Sequence, residues 1–501
     1  MKRMWLRKNV MFNLLMAQDQ NSLVNFSQLE PSLDRMYEIG IRALFINPFF
    51  DTGTRLKKTE VAHRFPRGAF KGSPYAVYDH MSIEDDLLYE SDDDYIDQSS
   101  AFKDFVIKAH RRGIRVVLDF ITNHTSHDFP LQKYYPEWFL YKEDILSLES
   151  PYLSFADLGK KLPWGDAKHT VIPFINGDFY WSDTAQLNWE KDLPPAPNEP
   201  PNNPSLRAMF DYFITVANYW VAEFGVDGFR CDLADRIPQE FWVECISAVK
   251  KTAATYKQGV YTLDGDSIFI AETRSQDRET LHEAGFDFVY SSLAESLFDN
   301  RKLKDYLGSI SGEKWLNFTD TYDFYPDSRL PESVYENISD NDLSRNSPAY
   351  WAIAATLPGL AMMYTGIEKK SWQFFLEAKD NTDADHSNAI AYEKINEIRA
   401  TQKALWGSEM QTLGCNGEKS DAIIAYLRGV GKEKLIIIVN TSREDVSDVF
   451  VDVTVALESH ERNYILKDLV TGSIFLRTGP MLQIDLKAQS YHIFKVEEQW
   501  G

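Results

Sequence analysis

The sequence predicts an α/β fold: a (β/α)8 TIM barrel with an insertion after strand 3 and a C-terminal all-β sandwich domain. Three observations predict it. Short apolar runs alternate with amphipathic helical patterns from residue 9 to about 366, the signature of a parallel sheet flanked by helices. Eight such runs occur, at 10–16, 43–48, 115–120, 226–231, 267–271, 286–290, 315–319 and 361–364, and eight repeats over this length close into a barrel. Beyond residue 400 the helical period gives way to short β-like runs separated by turn residues.

The first run follows basic residues, as in a signal peptide. Asn13 interrupts it and no small-x-small cleavage site follows, so it reads as a buried strand of a cytoplasmic protein. Helical patterns at 31–39, 101–112, 205–224 and 240–256 supply the outer layer. From 125 to 204 the chain is rich in Pro, Trp, Tyr and Asp with little periodicity. That is too long for a structureless loop. It reads as an inserted subdomain leaving through the proline-rich segment 193–204. Runs at 422–428, 434–440, 449–455, 463–465, 473–476, 481–486 and 490–496 form the β-sandwich. The domains are thus 1–124 with 205–405, 125–204, and 406–501.

Composition narrows the function. With 75 acidic against 53 basic residues the net charge is −22, a field that repels nucleic acid and anionic membrane. No apolar run reaches the length of a membrane helix. A neutral ligand fits better, and aromatics at 14% supply flat faces on which sugar rings stack. The three cysteines, Cys231, Cys245 and Cys415, lack metal or disulfide spacing. Nothing in the sequence fixes an oligomeric state.

In such a barrel chemistry sits at the C-terminal strand ends. Strand three ends in 119–124 (DFITNH), strand four in 228–232 (GFRCD), strand five in 270–273 (IAET), and strand seven runs into 320–323 (DTYD). Carboxylates therefore recur at four strand ends. Retaining glycoside cleavage needs two carboxyl groups about 5–5.5 Å apart, one nucleophilic and one acting as acid then base. Neighbouring strands are ~4.8 Å apart, so Asp232 and Glu272 suit that work. Arg230, two residues before Asp232, shares its face and would hold it ionised. Glu272 is expected to have the higher proton affinity of the pair. Asp323 is expected to bind sugar hydroxyls as the ring flattens.

These segments resemble those of the α-amylase family, glycoside hydrolase family thirteen, over nearly the whole chain. Residues 119–124 are similar to its D-x-x-x-N-H region, 228–232 to G-F-R-x-D, 269–272 to the acid/base region and 318–323 to the region of the third catalytic Asp. The segments 357–368 (LPGLAMMYTGIE) and 72–79 (GSPYAVYD) match the strand-eight and strand-two regions. The resemblance implies a retaining hydrolase of α-glucosidic bonds in maltodextrin-like oligosaccharides, working through a covalent glycosyl-enzyme. A transglycosylase (glucanotransferase) with the same residues, or a non-catalytic carbohydrate-binding subunit, are the alternatives. It makes Tyr75 a stacking platform held with help from Asp79, and gives His124 a hydroxyl of the cleaved sugar. Tyr322 replaces the family's usual His. Asp235-Arg236 stands where many starch amylases carry Lys-His. No cofactor is required. Calcium stays open through Asn123, with Asp166 or Asp183 in the insertion. A basic stretch holding Arg55, Lys57, Lys58, His63, Arg64, Arg67 and Lys71 reads either as a solvated loop or as a site for a sugar phosphate or an acidic partner.

Overall fold

A computed structural model describes residues 2–14, 16, 25–53, 73–84, 87, 98–141, 171–172, 174–176, 179–181, 183–189, 204–258, 261–263, 265–273, 278–297, 299–319, 347–364, 384–457 and 463–498. Eight parallel strands close into a barrel in sequence order: β1 (Val10–Leu14), β2 (Ile41–Ile46), β3 (Arg115–Phe120), β4 (Gly228–Cys231), β5 (Ile268–Ala271), β6 (Phe288–Tyr290), β7 (Trp315–Phe318) and β8 (Leu360–Tyr364). The strands are apolar on both faces because both are covered. Met11, Phe45, Val117, Ile270, Phe288 and Phe318 fill the inside. Their alternating neighbours, among them Phe12, Leu44, Val116, Phe229, Phe269 and Val289, meet the helices outside.

The outer layer includes the helices Ser32–Glu38, Gln98–Arg111, Pro204–Phe224 and Gln239–Thr255, within three residues of the predicted bounds. A hairpin that the sequence did not announce follows β2: Phe50–Thr52 pairs antiparallel with Val77–Ile83. The second strand, VYDHMSI, breaks its apolar residues with Asp79, His80 and Ser82 and its burial does not alternate cleanly, so it lacks the period-two signal. In the insertion, His124–Ser126 pairs with Thr184–Gln186 and Phe174–Asn176 with Phe179–Trp181. The Trp189 indole donates to the Thr122 carbonyl at 2.7 Å, which ties the returning chain to the barrel rim.

After the helix Ala384–Thr401 come nine antiparallel strands. One sheet orders them as Met410–Thr412, Ile423–Arg428, Leu435–Asn440, Tyr491–Glu498, Asn463–Asp468 and Ile474–Thr478. The other orders Cys415–Asn416, Val446–Asp452 and Met481–Leu486. The two shortest, 410–412 and 415–416, were not predicted. Strand Ile423–Arg428 is buried on both faces. Ile424 and Tyr426 face the barrel core while Ile423, Ala425 and Leu427 face the space between the sheets. Arg428 reaches back to the Thr356 and Gly407 carbonyls at 2.5 and 2.6 Å. Among the described residues no helix is long and apolar enough to cross a membrane, and all three cysteines are free thiols.

Candidate active site

Alternation along the strands places Asn13, Asn47, Asp119, Arg230 and Tyr290 in the top layer of the barrel interior, where neighbouring layers are apolar. All five are buried. Strands β4 and β5 can approach closely because residue 228 is glycine: a Cβ there would run into the Ile268 carbonyl. At their ends stand Asp232 and Glu272, as the sequence predicts.

Arg230 organises the site. Its guanidinium is inaccessible to solvent. Nη1 donates to Asp119 Oδ1 and Asp232 Oδ1, each at 2.8 Å. Nη2 lies 3.0 Å from Glu272 Oε2, and Nε donates to the Tyr290 hydroxyl at 3.1 Å. One planar cation thus meets three carboxylates. Asp232 and Glu272 lie against the two terminal nitrogens of that one guanidinium.

The chain beyond Asp232 wraps around Glu272. Leu233 adopts a left-handed conformation (φ 45°), unusual for a branched residue. Its N–H thereby reaches Glu272 Oε2 at 2.9 Å, and the next N–H, of Ala234, reaches the Glu272 carbonyl at 2.9 Å.

Three anions around one cation leave negative charge in excess. Burial, above all, holds the Asp119 carboxyl up at about 6, although Arg230 and the Tyr75 hydroxyl pull it down. Burial also raises Asp232 well above the usual carboxylate range, and the adjacent Glu272 adds to this against the pull of Arg230. Arg230 favours the ionised form of Asp232, while burial and Glu272 oppose it. The charge of Asp232 therefore depends on that of its neighbour Glu272.

Tyr75 is buried, and its phenol donates to Asp119 Oδ2 at 2.8 Å and accepts from Asn47 Nδ2 at 3.0 Å. Asp79 does not hold it. That side chain is exposed and caps the Met81 N–H at 2.8 Å, because it lies on the solvent side of its strand. Asn47 and Asp119 do the work expected of it. His124 is buried with its ring bonded to the Tyr75 backbone, and burial drops its pKa to about 3, so it is neutral. Tyr322 and Asp323 lie outside the described residues, as do Asp166 and the basic stretch from Arg55 to Lys71. The Asn123 side-chain oxygen accepts from Gln186 Nε2 at 3.2 Å. Asp183 accepts the Ser73 N–H at 2.7 Å. These two oxygens accept from different partners, and among the described residues no group of three His, Cys, Asp or Glu side chains could hold a metal.

Sequence reasoning passed over Asp119, although it begins the 119–124 motif, and it missed Asn13, Asn47 and Tyr290. Neutral side chains inside strands carry no signal until the topology shows which of them share a layer.

A closed parallel barrel with carboxylates gathered around one arginine at its C-terminal mouth, and a β-sandwich behind it, defines a class: barrel enzymes that work at the rim. A family model described as "Alpha amylase, catalytic domain" matches residues 28–276, and the chain belongs to the α-amylase family. It is 21% identical to a cyclomaltodextrinase of Geobacillus thermopakistaniensis over 93% of this chain and 69% of that one. It is 22% identical to an α-1,4-glucan:maltose-1-phosphate maltosyltransferase of Picrophilus torridus over 91% of this chain and 65% of that one. The chain thus spans about two thirds of the length of these relatives. The crystal structure of a noncanonic maltogenic α-amylase, AmyB, from Thermotoga neapolitana shares the fold with a TM-score of 0.67 at 20% identity, covering all of both chains.

Proposed function

We propose that this protein is a retaining glycosidase that cleaves α-glucosidic bonds in maltodextrin-type oligosaccharides. The observation that carries this reading is the Arg230 guanidinium, 2.8 Å from Asp232 and 3.0 Å from Glu272 on adjacent strand ends. Substrate entry expels water and leaves Glu272 protonated beside the ionised Asp232. Glu272 gives its proton to the departing glycosidic oxygen while Asp232 Oδ attacks the anomeric carbon. The C1–O bond breaks and a C1–Oδ ester forms. Glu272, now ionised, takes a proton from water, and the hydroxide displaces Asp232 with a second inversion, so configuration is retained. Tyr75 packs against the sugar ring bound beside Asp232. Neutral His124 offers an uncharged hydrogen-bonding partner for a sugar hydroxyl. Asp323 grips the flattening ring, with Tyr322 beside it. The three free thiols suit work in the cytoplasm.

The relative named as a maltosyltransferase favours a second reading, in which a sugar hydroxyl replaces water in the second step. Maltotriose distinguishes them. Hydrolysis gives maltose and glucose, and the newly formed reducing end emerges as the α-anomer by proton NMR; transfer gives oligomers longer than the substrate. A β-anomeric product would overturn the retaining reading. Binding of maltotriose without turnover would favour a carbohydrate-binding subunit.

A further inference from the structure

The polar layer of the barrel contains a chain of hydrogen bonds whose direction is fixed from one end. Asn13 Nδ2 lies 3.3 Å from the Phe45 carbonyl and 2.7 Å from Asn47 Oδ1. Asn47 Nδ2 lies 3.0 Å from the Tyr75 phenol oxygen, which lies 2.8 Å from Asp119 Oδ2. Amide nitrogen and oxygen are told apart by their partners. A carbonyl only accepts, so the Asn13 atom facing Phe45 is nitrogen. That nitrogen needs an acceptor on Asn47, which turns the Asn47 nitrogen to Tyr75. The phenol has a single proton. With its oxygen receiving from Asn47, the proton goes to Asp119. The side-chain oxygen of Asn13 is buried with no hydrogen-bond partner among the described residues. An unsatisfied buried acceptor is costly, so the arrangement is not the one that packing alone favours.

We propose that Asn13 and Asn47 are positioning residues that set the polarity of this relay: they force Tyr75 to donate to Asp119, and so keep Asp119 an anion that pins Arg230. The opposite polarity would let a protonated Asp119 donate to Tyr75. It would then hold Arg230 Nη1 with a neutral oxygen, and the guanidinium beside Asp232 would lose a fixed anchor. Sugar contact at Tyr75 rests on the activity proposed above, but the polarity itself does not.

Asn47→Asp tests this with almost no change of shape. A carboxylate at 47 accepts from Asn13 and also from Tyr75, so the phenolic proton leaves Asp119. Two readouts follow. In urea denaturation across pH, which needs no turnover, the stability change that accompanies Asp119 protonation moves to higher pH by about one unit. In kcat/KM on maltotriose, the acidic limb moves up by a similar amount and kcat falls about tenfold, with KM little changed. In a Tyr75→Phe background the same substitution moves both profiles by clearly less, since only repulsion between the two carboxylates remains and no phenolic proton is left to redirect. Asn47→Leu, which only releases the direction, moves both the same way by less. Unmoved profiles, or equal shifts with and without the Tyr75 hydroxyl, overturn the proposal. Failure of the wild type to cleave maltotriose, with the stability shift present, would sink the activity reading and leave the relay standing.

Discussion

Strand β4 is flanked by two buried aspartates in opposite circumstances. At its N-terminal end Asp227 accepts from His110 Nε2 at 2.8 Å, the Val116 N–H at 2.7 Å and the Tyr261 hydroxyl at 2.6 Å, with Arg115 at 4.0 Å. Burial works against its charge, but His110, Arg115 and Tyr261 outweigh burial and hold its pKa below the ordinary value. At the C-terminal end Asp232 shares one arginine with two other carboxylates and is pushed the other way. The floor of the barrel holds an aspartate with several donors of its own, and the rim one that shares its cation with two other carboxylates. A charge whose partners are complete has little left to gain by reacting. A charge short of partners gains from bonding to an electron-poor carbon, and five residues of chain separate the two conditions.

The largest break in this comparison is Asp232→Ala. Turnover should fall on the order of 10⁴-fold or more, while the melting temperature holds or rises because a repelled carboxylate has gone. Readily measured hydrolysis by the pure variant would refute its role. Asp227→Ala should do the reverse. It strands the Val116 N–H, the Tyr261 hydroxyl and His110, and urea titration should show a loss of about 3–5 kcal/mol, while folded protein keeps its specific activity. Activity lost without stability would overturn the contrast.

A third test uses pH. Asp119 releases its proton at about 6 in the folded protein and near 3.8 when unfolded. Between those values the native state holds more protons, so this group's contribution to stability falls as pH rises, by up to ~1.4 kcal/mol per unit. His80 and His124 run oppositely. Burial drops both to about 3 from 6.5, so their contribution is present above 6.5 and is lost as pH falls toward 3. Relative to the wild type, Asp119→Asn should therefore gain stability from pH 4 to pH 6 in urea titrations; a constant difference across that range would contradict the raised value. Tyr290→Phe removes the partner of Arg230 Nε and should lower kcat about tenfold, with KM little changed. Smallest of all, Asp79→Asn should leave stability within ~0.5 kcal/mol and kinetics unaltered; a marked rise in KM would restore Asp79 to the site.

The barrel was legible because each strand is a compact apolar run next to turn residues; 115–120 was read to the residue, with Gly113 in a left-handed turn before it. The placement of Asp232 and Glu272 at neighbouring strand ends was legible because charged residues there stand out against that background. What stayed hidden had the opposite character. The strand Val77–Ile83 mixes polar and apolar residues without a period, and Asp79 was given a role that its outward direction rules out. Asn13 looked like a blemish in an apolar run. Its meaning depends on Asn47 lying across the neighbouring strand, a relation that exists only once the sheet has closed.

The strand Ile423–Arg428 gives one face to each of two cores. A segment shared in this way should make the barrel and the sandwich melt in a single cooperative transition, which calorimetry would show as one peak. Deleting the chain beyond residue 409 would strip the Arg428 contact from Thr356, at the end of the helix that leads into β8, and so disturb the strand that closes the barrel against β1. The appended domain thereby acts as a clasp on a ring whose first and last members must meet.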